Sequence, residues 1–498
     1  MALAACRRGG LWNRMYVANP ETGASLDPMI PRELRDLLRH ARNYVSGDAV
    51  AALVQLAAIP VIASMLTTAD YGMYQIVVTY ISIAAVVLTF NFHGAISRYY
   101  YEETVDTDRK EFVGTSVGGS LLLLSCFSVI AMLIIRWRGT LYDIDLCLAA
   151  LIGLFGACRV LKTSAHSICI ALKRSAQSAR IQALHAISTL AGACMWLIAV
   201  DQPGYLDVLY GLLCGELLAL GLTAVVVRDQ WMWRPARGHL RYIAGYAFPL
   251  VPYTLGNLAL AQIDRVMIKH TLGASDAGLY SLSYNVAMSI GMVALALQRT
   301  ITPDWFAFTN KKLFDKADAL IEKSLELTLL ASLAAMLFAG PFMSLVLDER
   351  YHDSLSIIPI VVVGYVTQAI AGYYLRVIGY TNRMVFAAAV SIVSGIVNVA
   401  LNAVLLSRYG YKISAYTTFA SFVVLLTGSW FVARFVLRQR VPPAAVIRKP
   451  LVPFVLAYLV SLGSHHAMGT LALAVDACLF AGVAILAAKR HLRTKESN

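Results

Sequence analysis

LTTADYGMY (Leu66–Tyr74) returns 206 residues later as LGASDAGLY (Leu272–Tyr280), both spelled Leu-x-x-x-Asp-x-Gly-x-Tyr. Each copy closes one long apolar run and opens the next. What surrounds the two copies decides the fold.

The 498-residue chain is 58% hydrophobic and 14% charged, against roughly 45–50% and 25% in soluble domains. Its mean hydropathy is +0.65. Apolar runs near the length of about 20 residues that crosses a bilayer as a helix recur along the chain. Fourteen are read, at about 44–66, 75–96, 113–135, 146–168, 181–200, 206–227, 244–268, 279–302, 325–347, 355–375, 385–406, 413–433, 451–464 and 468–488. The runs are continuously apolar, not alternating, and open sheet edges do not survive in hydrocarbon, so they predict helices and not a β-barrel. An all-α polytopic membrane protein follows.

The net charge of +13 raises the question of nucleic acid. Of the 42 Lys and Arg, 32 fall on the side of the N-terminus, 6 on the opposite side and 4 inside the spans. This is the positive-inside pattern. The basicity therefore describes topology, nucleic acid is set aside, and both termini are expected in the cytoplasm. The eight cysteines are scattered with no Cys-x-x-Cys pair and read as packing residues. Leu-Ala-Ala-Cys at Leu3–Cys6 imitates a lipoprotein box, but too little apolar chain precedes it to form a signal core. Residues 1–43 read as a disordered or surface-lying tail, in which Arg32–Arg42 could form a short basic helix on the inner leaflet.

Six spans separate the two copies of the phrase. An even number gives both halves the same orientation, related by an axis along the membrane normal. The expected organisation is a tail (1–43), a first six-helix lobe (44–240), a second (241–440), and two further helices with a tail (441–498). LKRSAQSAR (Leu172–Arg180) and IGYTNRMVF (Ile378–Phe386) occupy corresponding loops. Within each copy of the phrase, Asp is expected to cap the next helix, Gly to permit a tight turn, and Tyr to sit at the interface. GTSVG (Gly114–Gly118) and GLLCG (Gly211–Gly215) read as faces for close helix packing.

The stretch FPLVPYTLGNLALAQIDRVMIKHTLGASDAGLYSLSYNVA (Phe248–Ala287), taken with LTTADYGMYQIVVTY (Leu66–Tyr80), resembles the Wzx-type polysaccharide flippases, within the superfamily that includes multidrug extruders and lipid II flippases. The resemblance implies a transporter, not an enzyme, that moves an undecaprenyl-pyrophosphate-linked oligosaccharide from inner to outer leaflet by alternating access. It implies a lipid-linked oligosaccharide and the membrane as partners, with polymerase and chain-length machinery beside them. No cofactor is expected; H⁺ or Na⁺ is the expected coupling ion.

A charge at mid-bilayer costs a few kcal/mol and usually faces a cavity, so the embedded charges are the candidates. Arg159, Lys162 and His166 share one face of the fourth span and suit a phosphate or anionic sugar; Lys162 and His166 could instead snorkel. Adjacent Asp264 and Arg265 cannot share a face, so Arg265 is expected toward a central cavity and Asp264 toward a partner helix. Arg98, Arg299 and Arg376 stand at the inner ends of spans, placed to meet a head group or to snorkel. Glu216 and Asp476 are the deepest carboxylates, for ion coupling or for pairing with a buried base such as Arg159.

Two rival classes remain. A cation-coupled antiporter predicts an acid cluster in the first lobe, where the deep charges are mainly basic. A membrane glycosyltransferase or polymerase would use DTD (Asp106–Asp108) or DID (Asp143–Asp145), yet no expected outer loop exceeds about ten residues, too few for a catalytic domain. Walker, zincin and Gly-x-Ser-x-Gly spellings are absent.

Overall fold

The computed structural model describes residues 32–496 except 91, 93, 103–105, 140–143, 173, 235, 248–250, 382 and 469–471. Within its helices, the side chains of 32–46, 48–49, 97–98, 101–102, 106, 226, 299, 303, 462–468, 472–474 and 488–496 lie outside that description. Residues 1–39 and 40–498 are two compact units. Of the first, only the opening turns of a helix are described.

The elements are α1 (Arg32–Met65), α2 (Thr68–Val87), α3 (Gly94–Glu102), α4 (Asp106–Arg138), α5 (Leu146–Ala171), α6 (Ser175–Ile198), α7 (Tyr205–Val227), α8 (Arg237–Ala247), α9 (Val251–Leu272), α10 (Ala274–Asn310), α11 (Phe314–Val346), α12 (Ile358–Tyr380), α13 (Met384–Tyr409), α14 (Ile413–Phe431), α15 (Ala444–Met468) and α16 (Ala472–Glu496). No strand is found among the described residues. Eleven of these helices are long and apolar enough to cross a membrane, counted among the described residues. The other three expected spans fall on α1, α9 and α16. In α1 and α16 the described apolar stretches are shorter, Val50–Met65 and Val475–Ala487; α9 carries Asp264, Arg265 and Lys269.

The helices form two lobes, α2–α7 and α9–α14. They meet where α2 packs against α9 and α10. α15 and α16 pack on α11, with Phe338 and Phe480 edge to face.

Three features depart from the sequence expectations. The second span is not one helix: α2 ends at Val87, Phe90 adopts a left-handed φ of 46°, and a new helix begins at Gly94. Thr89, Asn91 and Gly94 are poor helix formers, and the Thr89 hydroxyl turns back onto the Ala85 carbonyl. The region between the lobes, expected as a loop, contains α8, which buries His239, Ile243 and Ala247 at helical spacing. It lies on α3 and α4, where Tyr99 and Phe112 stack at 3.7 Å with His239 and Tyr242 edge-on. The GTSVG face does not receive a helix. A Cβ on Gly114 would collide with the Met232 carbonyl and one on Gly118 with the Trp233 ring, so the strand of chain leading to α8 occupies that groove.

The repeated phrase also works differently from its expected local roles. Asp70 and Asp276 lie in the first turns of α2 and α10, where they complement the helix dipole, while the N-caps are Thr67 and Gly273, the latter with φ 108°. Gly72 and Gly278 are inside helices, not turns. A Cβ on Gly72 would fall on the Ala274 carbonyl oxygen, and one on Gly278 on the Thr68 carbonyl oxygen. Beside them the Thr68 and Ser275 hydroxyls meet at 2.8 Å. The two copies of the phrase therefore pack on each other and join the outer ends of the lobes, outer being the side opposite the basic loops. Tyr280 is fully buried, not interfacial.

Candidate functional site

Two groups of embedded charge stand out, one at the seam between the lobes and one inside the first lobe. The seam is organised by α9, which presents Asp264 and Arg265 to different neighbours because successive helical residues point about 100° apart.

Arg265 is 3% exposed. Its Nη1 donates to Gln75 Oε1 on α2 at 3.2 Å and its Nη2 to Asn285 Oδ1 on α10 at 2.6 Å, with the Tyr284 ring 5.3 Å from the guanidinium. Expected toward a central cavity, Arg265 is enclosed between the lobes in this structure. In this conformation the close approach of α2 and α10 encloses it, with Gly72 one turn from Gln75 and Gly278 two turns from Asn285. Asp264 is fully buried and turned toward the second lobe's interior. It accepts from the Tyr280 hydroxyl, from Thr418 Oγ1 at 3.3 Å, and from the Arg265 backbone N–H at 2.9 Å. From Thr418 the polar chain continues: Asn398 Nδ2 donates to Thr418 Oγ1 at 3.1 Å, Asn402 Nδ2 to Asn398 Oδ1 at 3.3 Å, and Ser414 Oγ to Asn402 Oδ1 at 2.8 Å. A carboxylate with hydroxyl and amide oxygens, all buried, is a donor set suited to a proton or a hard monovalent cation.

In the first lobe Arg159 is in the middle of α5 yet keeps an exposed side chain. Its Nη1 donates to Ser82 Oγ on α2 at 3.2 Å. Lys162, one turn on, is half-buried, and His166 Nδ1 lies 2.8 Å from Ser178 Oγ on α6. Glu216 on α7 is buried and pairs with His185 on α6, at 3.1 Å, rather than with Arg159. GLLCG makes this pairing close: a Cβ on Gly211 would overlap Ala193 and Gly192, and one on Gly215 would overlap Ser188 and Thr189.

The remaining candidates scatter. Arg376 is a full turn inside α12, which runs on to Tyr380, so it does not close its span. It is buried between Tyr373 and Trp305, at 5.4 and 5.9 Å, and donates to the Gln298 carbonyl at 3.2 Å. Asp476 is fully buried on α16, among α11 and α15 and away from α5. The side chains of Arg98 and Arg299 lie outside the described residues. Among the described residues no cluster of three or more His, Cys, Asp or Glu side chains could hold a metal. Sequence reading passed over His185, Gln75 and Thr418, whose partners lie far away in the chain. Only an apolar span containing a lone polar residue hinted at any of them.

A family model described as "Polysaccharide biosynthesis protein" matches residues 37–306, more than half of the chain. A protein of the Lsg locus of Haemophilus influenzae is 22% identical over 291 residues, 54% of this chain and 66% of that protein. The Haloferax volcanii protein named "Probable low-salt glycan biosynthesis flippase Agl15" is 20% identical over 401 residues, 78% of this chain and 82% of that protein. Among solved structures, the lipid II flippase MurJ in an inward closed conformation superposes with a TM-score of 0.67 at 12% identity, covering 91% of this chain and 99% of that one. An outward-facing multidrug resistance MATE family transporter of the MOP superfamily superposes at 0.58 and 14% identity, covering 81% and 96%. At these identities the structures speak for the fold.

Proposed function

Since this chain belongs to the polysaccharide biosynthesis protein family, we propose that it is a flippase for a lipid-linked glycan, carrying an undecaprenyl-pyrophosphate-linked oligosaccharide from the inner to the outer leaflet. The observation that carries the reading is Arg159, an exposed residue at mid-span whose guanidinium reaches Ser82, with Lys162 on the same face. Exposure of Arg to lipid at that depth costs at least a few kcal/mol, so its surroundings are polar or anionic. Arg159 and Lys162 take the phosphates. Arg265 joins them when the lobes part at the seam and Gln75 releases it. The lipid tail stays in the bilayer, and polymerase and chain-length proteins act on the product.

An anion leaving a negative-inside cell gains about 2.3 kcal/mol per charge per 100 mV, a driving force that pyrophosphate can use directly. Asp264, with Thr418 and Asn398, is the place for a coupled H⁺ or Na⁺. That network would serve a cation-coupled small-molecule antiporter equally well, which makes the antiporter the second reading.

The deciding experiment is deletion of the gene with measurement of surface glycan and of lipid-linked units on the inner leaflet. Loss of surface glycan with accumulation inside is expected. Unchanged glycan with altered drug or ion sensitivity would transfer the assignment to the antiporter.

A further inference from the structure

At the end of the second lobe nearest the basic loops lies a cavity of about 260 Å³, walled by the last turns of α10 and α12, the first turns of α11, and the chain between α14 and α15. Trp305 on this wall stands twenty residues beyond Asn285 on α10, about 30 Å along a helix rising 1.5 Å per residue. The cavity is therefore remote from Arg265 and Asp264.

The backbone is bent to build it. Among the described residues three non-glycine residues adopt a left-handed φ, and two of them, Lys312 at 59° and Arg438 at 51°, belong to the two connecting segments of this wall. Ahead of Arg438 comes a π-helical turn at Val432–Val436, and the Gln439 N–H then returns to the Ala433 carbonyl at 3.0 Å. Side chains with a Cβ resist the left-handed region, and non-glycine residues held there, like π-helical turns, gather at functional sites. Here they bring Gln439 and Arg440 onto the cavity.

The lining joins flat aromatic surface to paired donors and acceptors. Trp305 and Tyr380 meet edge to face at 6.0 Å, and Arg376 supports Trp305 with its guanidinium 5.9 Å from the ring. Arg440 donates from Nη1 and Nη2 to the two oxygens of buried Asp318, at 3.2 and 2.7 Å, with the Phe314 ring 4.4 Å from the guanidinium. The Tyr380 hydroxyl and the Asn310 side-chain oxygen are 2.6 Å apart. The Arg440–Asp318 pair sets N–H donors beside carboxylate acceptors, which is what a hydroxyl, itself donor and acceptor, requires. A lipid chain here would strip these groups of water without replacing its hydrogen bonds, and a phosphate would face the Asp318 carboxylate. A ring with an apolar face and hydroxyls around its edge matches both parts. The volume, just below the roughly 300–1,000 Å³ of sites for drug-sized ligands, suits one such ring.

We propose that this cavity binds one sugar ring, and that it is a recognition site for the glycan on the side of the basic loops; the second half of this statement rests on the flippase reading. Trp305 and Tyr380 supply the apolar face, while Asn310, Gln439 and the Arg440–Asp318 pair meet the hydroxyls. With its phosphates at Arg159 and Lys162 and a sugar here, the substrate is held at two points. The identity of the sugars, and not the lipid phosphate alone, then decides what is moved.

The test uses full-length protein in lipid nanodiscs, free of glycoside detergent, with the methyl glycosides of glucose, galactose, N-acetylglucosamine and glucuronic acid as probes. Saturation-transfer NMR is expected to mark the ring protons of at least one of them. In the double variant Asn310→Ala, Gln439→Ala the signal is expected to fall by about fivefold or more, the scale of losing one or two hydrogen bonds. Asn310 is exposed and Gln439 half-buried, so the thermal midpoint should hold; Gln439→Ala alone takes its place if the midpoint drops. No transfer to any glycoside, or transfer undiminished in the variant, overturns the sugar site. Transfer to glycerol 1-phosphate instead overturns it in favour of a lipid headgroup. In a deletion strain the variant is expected to restore about fivefold less surface glycan than the wild-type gene, again the scale of those hydrogen bonds, with lipid-linked units accumulating inside. Full restoration by a variant that has lost the sugar signal overturns the recognition role and leaves the site to a free sugar. Glycan that deletion itself leaves unchanged overturns the flippase reading, while the NMR result still decides the site.

Discussion

Arg265 of the second lobe holds Gln75 of the first at 3.2 Å across a sequence separation of 190 residues. The same guanidinium is anchored to its own lobe through Asn285. One side chain thus ties the lobes together and is also the cation a phosphate would seek. Parting the lobes and freeing the charge become a single event.

Gln75→Leu should keep the fold and weaken the seam. A hydrogen bond to a charged group contributes about 1.5–3 kcal/mol, so the population with outer ends apart should rise by roughly tenfold or more. Thiol labelling of a cysteine placed at Thr68, in a background without other cysteines, reports it. Unchanged labelling would show that Gln75 does not hold the seam.

Gly72→Leu and Gly278→Leu should each block closure of the outer ends, because the new side chain must enter the backbone of the facing helix. The expected result is a stably inserted protein, labelled on the outer side, with transport reduced at least tenfold. Gly245→Leu, at a position open to space, is the control. Equal activity in all three would mean that the contact is dispensable.

Arg159→Ala should reduce export by about tenfold or more, the scale of losing one charge-assisted hydrogen bond in transit. Arg159→Lys should recover only part, since Lys lacks the bidentate fork. Surface glycan and inner-leaflet accumulation are the readouts. Full export by a normally inserted Arg159→Ala variant would remove the first-lobe cation from the mechanism.

Gly114→Val should push the Met232 carbonyl off its groove on α4 and loosen α8. Overpacking of this kind costs about 1–3 kcal/mol. A lowered midpoint of thermal unfolding in detergent is expected, together with faster proteolysis between Val227 and Arg237. An unaltered midpoint and cleavage rate would show that the linker does not depend on this groove.

The architecture was written in the hydropathy and in the spacing of the repeat, because both are local quantities summed along the chain. The roles of Gly72 and Gly278 were not. A glycine in a helix and a glycine in a turn are spelled alike, and only the partner helix 206 residues away tells them apart. The break after Val87 escaped because Thr89–Phe92 remain apolar enough to extend the span. α8 escaped because its amphipathic face is only three residues deep. Of the site, the charges themselves were visible, and so was the need for Asp264 and Arg265 to part company. Their partners were hidden: Gln75, Tyr280, Thr418 and His185 become polar neighbours only once the helices are packed.

Thr68 touches Gly278 as Ala274 touches Gly72, and the two pairs are displaced by the same 206 residues. Residue i meets j′ while j meets i′, which is the signature of an isologous interface. A chain of half this length, carrying the phrase once, would already possess both sides of the contact and could make it with a second copy of itself. Duplication and fusion would preserve that dimer contact within one chain, after which each half is free to specialise: Arg159 and Lys162 to one, Asp264 and its amides to the other.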